Sequence, residues 1–544
     1  MILIVNIKMY ILGISAFYHD SAAVLIKDGR VISAIEEERF SRLKHDNAFP
    51  IQAIDFCLKA NNLEVSEINY IAYYEKPLLK FERLLENFIY TYPFALKVFL
   101  QAVPEWLDKK IKIEEIIRKK VGFKKKIYFI PHHYSHAASA YFTSSFKKAA
   151  ILTIDGVGEY QTTGLWLGRE NQIQLLKRID FPDSIGLLYS TFTAFLGFRV
   201  NEDEYKLMGL AAYGKPRYKN KIYRLIDIKN DGSFRLEQQY FDYKKSLYMY
   251  SKKFIKLFGF PRKSEDKITQ FHKDLAASIQ AVTEEIYFKI LNYLHHLTNI
   301  DNLCISGGVA LNALANGKIY THTPFKKVHI FGAAGDSGAA LGAGLLVYNQ
   351  ILPNHTATLD FSCVTKRIKV SNLYFGSQYT NQEIGIILKQ LSLKYTKLSK
   401  ETLILKSAEL LAKGYIVGWF QGRCEFGPRA LGNRSILCKP NPRAMKTKMN
   451  IIKRRERFRP FAGSILQEKV ADYFEVPEKN HWSPFMTFCF KVKSNKRKEL
   501  AAIVHADATC RIQTVNKENG LYYKLIKRFY EIAGIPCLLN TSFN

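Results

Sequence analysis

No Cys-x-x-Cys pair occurs in this 544-residue chain, and its eight cysteines (Cys57, Cys304, Cys363, Cys424, Cys438, Cys489, Cys510 and Cys537) stand mostly in apolar or motif contexts. That usage speaks against a disulfide frame or a structural zinc site. It reads as buried thiols in a reducing, cytoplasmic compartment. No segment is low in complexity, and no apolar run beyond the first residues approaches a membrane span. The apolar start is interrupted by Asn6 and Lys8 and has no basic lead-in, so it reads as a short extension before a buried strand rather than a signal peptide or anchor. Acidic residues are scarce: 49 stand against 80 basic ones, a formal charge of +31. Such an excess invites a nucleic-acid or membrane-surface reading. The basic residues, however, are spread along the whole chain. This favours an enzyme with anionic substrates, and neither nucleic acid nor a membrane is expected as a partner. A hydrophobic share of 47% with 24% charged residues excludes a disordered or fibrous chain.

What is present reads as α/β. Ile11–Ser15, a polar turn through His19 and Asp20, and Ala22–Ile26 form strand, turn, strand, and Asp28-Gly29 predicts a hairpin into Val31–Ile35. Helical periodicity covers 51–61 and 77–121, where Phe81, Leu84, Leu85, Phe88 and Ile89 recur at helical spacing. The strand Ile151–Ile154, the turn Asp155–Glu159 and a strand through Gly164–Leu167 repeat the opening about 140 residues later, suggesting an internally duplicated α/β domain. An amphipathic helix pattern runs over 267–297. The periodicity breaks between Ile351 and Phe361, which predicts a first domain over 1–350, a linker over 351–365 and a second domain over 366–544.

Two constellations carry chemistry. His132 and His136 stand four apart after the strand Ile127–Ile130, so on a helix both imidazoles reach one cation while His133 points elsewhere. Asp155 ends a buried strand in a Gly-containing turn, and Asp336 lies in the turn Gly332–Gly338. A mixed His/carboxylate set suits Fe(II), Mn(II) or Zn(II) better than Mg(II). A zinc-protease reading fails, because His133 rather than Glu follows the first histidine. The glycines admit phosphate close to the backbone. Ser306–Asn312, after the strand Leu303–Ile305, has the Gly pair of a nucleotide or ribose site, or of tight strand–helix packing. In the second half, Gly427–Ser435 follows the strand Tyr415–Phe420, and Lys446–Arg459 holds seven basic residues and one acidic. Arg459 lies between Phe458 and Pro460-Phe461, and Arg511 interrupts the apolar run Thr509–Val515. Cations among such neighbours need an anionic partner and suggest a pocket for a phosphorylated substrate.

Together, His132–Ala140, Asp155–Glu159, Ser184–Ser190, Gly197-Phe198, Glu204–Gly214, Ser306–Asn312, Gly332–Gly338, Gly427–Ser435, Lys453–Phe461, Arg511–Val515 and Asn540–Asn544 closely resemble the O-carbamoyltransferase family of nodulation-factor and antibiotic biosynthesis. The resemblance spans nearly the whole chain from about Tyr10. It implies an N-terminal duplicated actin-like domain of the sugar kinase/heat-shock ATPase type and a C-terminal YrdC-like domain. The latter would join carbamoyl phosphate to ATP, with Mg²⁺, as carbamoyl-adenylate and pyrophosphate. The former would pass the carbamoyl group to a hydroxyl of a small sugar-like or secondary-metabolite acceptor.

By the same resemblance Lys453, Arg459, Arg429, Arg511 and Ser542 hold carbamoyl phosphate and the ATP phosphates. His132, His136, Asp155 and Asp336 hold a divalent metal, taken as iron. Asp155, Gly156, Gly158, Ser306, Gly307, Gly308 and Asn312 cradle the adenylate. His19 is the candidate general base near the acceptor, and a homodimer is left open. The chain departs from the family at Ser145 (usually Pro), Tyr160-Gln161 (usually Trp-Ala) and Gly463 (usually Pro). It also stops at Asn544, where family members continue through a Gly-Glu-Pro-containing stretch, so an incomplete second domain is expected. Competing readings are a tRNA-modifying threonylcarbamoyl-type transferase and a truncated, inactive nucleotide-binding remnant.

Overall fold

The computed structural model describes residues 8–355 and 369–543. Of the expected linker, 356–365 lies outside the described residues, as do Cys363 and Asn544. The chain divides into two compact units, one of Met1–Asn312 with Ile319–Val370, the other of Ala313–Lys318 with Ser371–Asn544.

The first unit contains two five-stranded sheets of identical topology. The opening strands are β1 (Tyr10–Ser15), β2 (Ala22–Lys27), β3 (Arg30–Glu36), β4 (Tyr70–Tyr73) and β5 (Ile127–Phe129), in spatial order β3-β2-β1-β4-β5. β1, β2 and β3 are antiparallel, and β4 and β5 join β1 in parallel. The second set is β6 (Lys148–Ile154), β7 (Gln161–Arg169), β8 (Gln172–Asp180), then, after a two-stranded hairpin of β9 (Ile226–Ile228) and β10 (Phe234–Leu236), β11 (Asn302–Ser306) and β12 (Lys327–Ile330). Its order is β12-β11-β6-β7-β8, with the same antiparallel triple and parallel pair. The duplication expected from the sequence is therefore present strand for strand. Asp28 and Gly29 both take left-handed backbone angles, which is what a two-residue turn between right-twisted strands requires.

The halves share a buried layer of two helices, His132–Tyr141 and Asp336–Leu346. The second, Asp-Ser-Gly-Ala-Ala-Leu-Gly-Ala-Gly-Leu-Leu, is buried along its entire length. Its small residues let backbones touch: a Cβ on Gly342 would fall on the Ser135 carbonyl oxygen. The long helical pattern over 267–297 is one helix, Gln270–Thr298. The periodic stretch 77–121 is broken instead into Pro77–Thr91, Leu96–Glu105, a wide turn over Trp106–Lys110 and Ile113–Val121. Ile89, expected on its apolar stripe, is 69% exposed.

The second unit is built on one six-stranded sheet of β13 (Val417–Phe420), β14 (Arg434–Cys438), β15 (Ala462–Leu466), β16 (Phe488–Lys491), β17 (Thr509–Val515) and β18 (Cys537–Ser542). The order is β13-β14-β18-β15-β17-β16. The last strand is central, paired to β14 on one side and β15 on the other. The amphipathic helix Leu521–Ala533 packs on β15 and β18 and against the helix Lys400–Ala412. All seven described cysteines are free and buried, as expected. Among the described residues no helix is long and apolar enough to cross a membrane.

Candidate active sites in the two units

In the first unit the two halves meet at a cluster of His132, His136, Asp155 and Asp336, of which all but Asp155 are buried. The helix after β5 begins at His132, and Glu159, from the turn after β6, stands in for a missing cap: its carboxylate accepts the His132 amide at 3.0 Å and the Lys76 amide at 2.8 Å. One helical turn later His136 brings its Nε2 to 3.1 Å from that of His132. Asp155, at the end of β6, places Oδ2 3.0 Å from His132 Nε2 and 3.3 Å from His136 Nε2. Asp336, at the start of its helix, places Oδ1 3.6 and 3.5 Å from the same two nitrogens. His133 turns away to Thr153 Oγ1 at 2.9 Å, and burial pushes its pKa well down.

These four ligands fit a divalent metal. Their donor atoms lie within 4.8 Å of one another. The closer separations match the spacing of about 3.0–3.4 Å between ligands held about 2.1 Å from one ion. Asp336 Oδ2 and His132 Nδ1 are buried without a hydrogen-bond partner among the described residues. Burial opposes charge on His136, but its bonds to Asp155 and Asp336 raise it to about 9. Burial would likewise raise Asp155, and the two imidazoles outweigh it, holding the carboxyl well below its usual range. A cation in their midst would satisfy the same carboxylates with both rings neutral.

The Gly-rich turns close round this cluster. Asp155 Oδ1 accepts the backbone amides of Gly156 at 2.8 Å and Gly308 at 3.2 Å. One carboxylate oxygen is thus fixed by backbone while the other faces the histidines. Gly307, between β11 and the following turn, has φ +100°, and a Cβ there would collide with the Ile154 carbonyl. A Cβ on Gly158 would crowd His132 and His133, whereas Gly156 faces open space. Ser306 is fully buried behind the cluster, its Oγ 3.3 Å from His136 Nδ1 and 3.0 Å from Ser139 Oγ. Asn312 exchanges two hydrogen bonds with Gln280 of the long helix. His19 lies in the β1–β2 turn. Burial lowers its pKa, yet Asp336 and Asp20 raise it to about 9, which places its ring within electrostatic reach of the cluster.

The second unit gathers cations at one end of its sheet. Cross-strand register aligns Arg511, Ala462 and Asn540 in one row, with Ser542 two residues further along β18. Arg459 lies just before β15 and Lys453 just after the helix Ala444–Ile452. The Lys453 ammonium donates to the Ser542 carbonyl. Burial, followed by the charges of Arg455 and Arg459, pushes its pKa down to about 7. Arg511, lowered by burial, also feels Arg459, and both Arg511 and Arg429 act on the buried Cys489 thiol. Arg511 Nε is buried without a partner among the described residues, and Glu456 lies 3.6 Å from Arg459. The five residues expected from the sequence thus converge, with Arg455 added.

The turn carrying Arg429 is shaped by a residue the sequence did not flag. Buried Glu425 accepts the amides of Leu431, Asn433 and Arg434 at 2.8, 2.8 and 3.1 Å. Arg434, by contrast, spends its guanidinium on carbonyls of Gln421, Asn433, Gly422 and Ser377 and stacks on Phe420. Asp20, His45, Glu159 and Arg83, whose Nη1 donates to Gly158 O at 3.2 Å, were also missed. They lie far apart in sequence, with no shared spacing to betray them.

The family follows from comparison with known proteins. Residues 10–345 match the family model described as "Carbamoyltransferase N-terminus", and residues 408–544 match "Carbamoyltransferase C-terminus". An uncharacterized protein of Synechocystis sp. is 46% identical, covering 98% of this chain and 91% of its own. "Nodulation protein NolNO" of Sinorhizobium fredii is 36% identical over 97% of this chain and 75% of its own. Among solved structures, HypF from T. kodakarensis superposes with a TM-score of 0.32 at 13% identity, over 64% of this chain and 50% of that one. The chain belongs to the carbamoyltransferase family and is a transferase.

Proposed function

We propose that the protein is an ATP-dependent O-carbamoyltransferase working in two half-reactions. In the second unit, read as YrdC-like, carbamoyl phosphate and ATP with Mg²⁺ yield carbamoyl-adenylate. One water is consumed: carbamoyl phosphate is hydrolysed to carbamate and phosphate, and a carbamate oxygen then attacks the ATP α-phosphorus as pyrophosphate leaves. In the first unit, read as actin-like, a hydroxyl of a small sugar-like acceptor attacks the carbamoyl carbon and AMP leaves.

The observation that carries this reading is the convergence of Lys453, Arg459, Arg429 and Arg511, with Glu456 3.6 Å from Arg459. Burial and the charges of Arg455 and Arg459 push Lys453 to about 7, so an anion added beside it is favoured. Phosphate oxygens there would restore its charge, and the cations would neutralise charge developing on the phosphates as adenylation proceeds. In the first unit the turns carrying Gly156 and Gly308, whose amides Asp155 accepts, would border the adenylate, and Ser306 Oγ, 3.3 Å from His136 Nδ1, would orient that ring. His132, His136, Asp155 and Asp336 would hold a divalent metal, iron by resemblance. When bound, it would polarise the adenylate phosphate as AMP departs. His19 would take the acceptor's proton once a metal offsets Asp336 and Asp155, two of the carboxylates that raise its pKa.

The test is pyrophosphate release by purified protein with ATP and Mg²⁺, with and without carbamoyl phosphate, beside Lys453→Ala. Release requiring both carbamoyl phosphate and Lys453 is expected. Release that ignores carbamoyl phosphate, or survives intact in the variant, overturns the adenylation half-reaction.

A further inference from the structure

Around His19 the backbone is held in a conformation that non-glycine residues avoid. Phe17 has φ +64°, Asp20 +59° and, across the turn after the third strand, His45 +56°. Two hydrogen bonds pin these turns together: the Phe17 amide to Asn47 O and the Ser21 amide to Asp46 O, each at 3.0 Å. The Glu38 carboxylate accepts the His45 amide at 2.9 Å. Asp and His enter left-handed backbone more readily than most residues, and these three hydrogen bonds hold it here.

What these turns present is one carboxylate between two imidazoles. Asp20 Oδ2 lies 2.9 Å from His19 Nδ1, and Asp20 Oδ1 lies 2.7 Å from His45 Nδ1. All three side chains are about three-quarters buried, being 25%, 27% and 22% exposed. An ionised carboxylate is an acceptor only, so both histidines must turn a protonated Nδ1 toward it. Burial would raise Asp20, but its bonds to His19 and His45 outweigh that and hold it ionised. His45 Nε2 is buried without a partner among the described residues, so this ring is anchored through Nδ1. His19 is left with Nε2 as its free nitrogen.

We propose that Asp20 is a positioning residue that holds His19 in the Nδ1–H tautomer with its Nε2 lone pair presented to the acceptor hydroxyl, and that His45 fixes the Asp20 carboxylate by occupying its second oxygen. This rests on the reading of His19 as the base for carbamoyl transfer. A proton taken at Nε2 leaves an imidazolium beside the Asp20 carboxylate, which stabilises it without being protonated.

The experiment reads tautomers directly, so it needs no acceptor. Long-range ¹H–¹⁵N correlation spectra of ¹⁵N-histidine-labelled full-length protein report which nitrogen carries the proton once each ring is neutral. His19→Gln and His45→Gln assign the two signals by their loss. Both rings are expected as Nδ1–H with bare Nε2. In Asp20→Asn, whose amide offers one acceptor and one donor, at least one ring should shift its proton to Nε2. An Nε2–H signal from either ring in the unsubstituted protein overturns the proposal even if Asp20→Asn fails to fold, as do unchanged tautomers in a folded Asp20→Asn. The proposed two-step reaction fails separately, if the unsubstituted enzyme shows no pyrophosphate release that needs carbamoyl phosphate and Lys453, an outcome that leaves the tautomers untouched.

Discussion

A lysine that is half neutral near pH 7 makes anion binding a proton-uptake reaction. Lys453 is pushed from an ordinary 10.5 down to about 7 by burial and by Arg455 and Arg459. An anion seated against it restores the ordinary value, so the bound form is charged across the neutral range. Between about pH 6 and pH 8 the free site goes from about nine-tenths protonated to about one-tenth, while the bound site stays protonated. Affinity should therefore fall about tenfold, or about 1.4 kcal/mol. Sulfate is the probe, because its own charge is constant over that range. The neighbouring ring of His505 does not confuse the reading, because burial lowers it to about 4. Calorimetry in buffers of different ionisation enthalpy should show uptake of about 0.9 proton per sulfate at pH 8. Lys453→Met should remove both the uptake and the pH dependence. Affinity that is flat from pH 6 to 8, or a pH dependence that survives in Lys453→Met, would refute a depressed lysine at the anion site. Stability in the absence of anion follows the same linkage. The unfolded chain holds this proton up to about 10.5 and the folded chain only to about 7, so Lys453 contributes stability that rises with pH between those values.

Three further outcomes are expected. Zn²⁺ or Fe²⁺ at about a hundred times its dissociation constant should stabilise the protein by about 2.7 kcal/mol, and a chelator should reverse this. Asp336→Asn should blunt the gain in the same thermal melts. Gly307→Ala places a Cβ against Ile154 O at φ +100° and should cost about 2 kcal/mol or more in denaturant midpoint analysis; a neutral effect would mean the β11 turn is not so tightly held. Glu425→Ala leaves the amides of Leu431, Asn433 and Arg434 unpaired in a buried turn, with a loss of about 3 kcal/mol and weaker sulfate binding through displacement of Arg429.

Local rules sufficed wherever one element carries its own signal. Asp28-Gly29 specified a hairpin because the turn needs left-handed backbone at both positions. His132 and His136 lay on one helical face because 3.6 residues make a turn. The repeated strand–acidic turn–strand opening was readable because both copies use the same alternation of buried strand and Gly-containing turn. The helical stretch 77–121 was harder: periodicity does not say where a helix stops, and Ile89 keeps the spacing of a core residue while standing in solvent. The resemblance brought Asp155 and Asp336 beside the histidines. The physical cause of their meeting is tertiary: the helix Asp336–Leu346 packs on the first sheet and His132–Tyr141 on the second, and small residues let the two helices approach closely. The same holds for Arg459 and Arg511, which meet because β15 pairs with β17, and for Lys453, whose Ser542 partner stands on β18, between β14 and β15 although it comes last in the chain. Glu425, Glu159, Asp20 and His45 announced nothing in sequence. A carboxylate becomes a turn's scaffold or a histidine's anchor only when folding brings amides and rings within about 3 Å of it, and that distance is set by packing rather than by spacing along the chain.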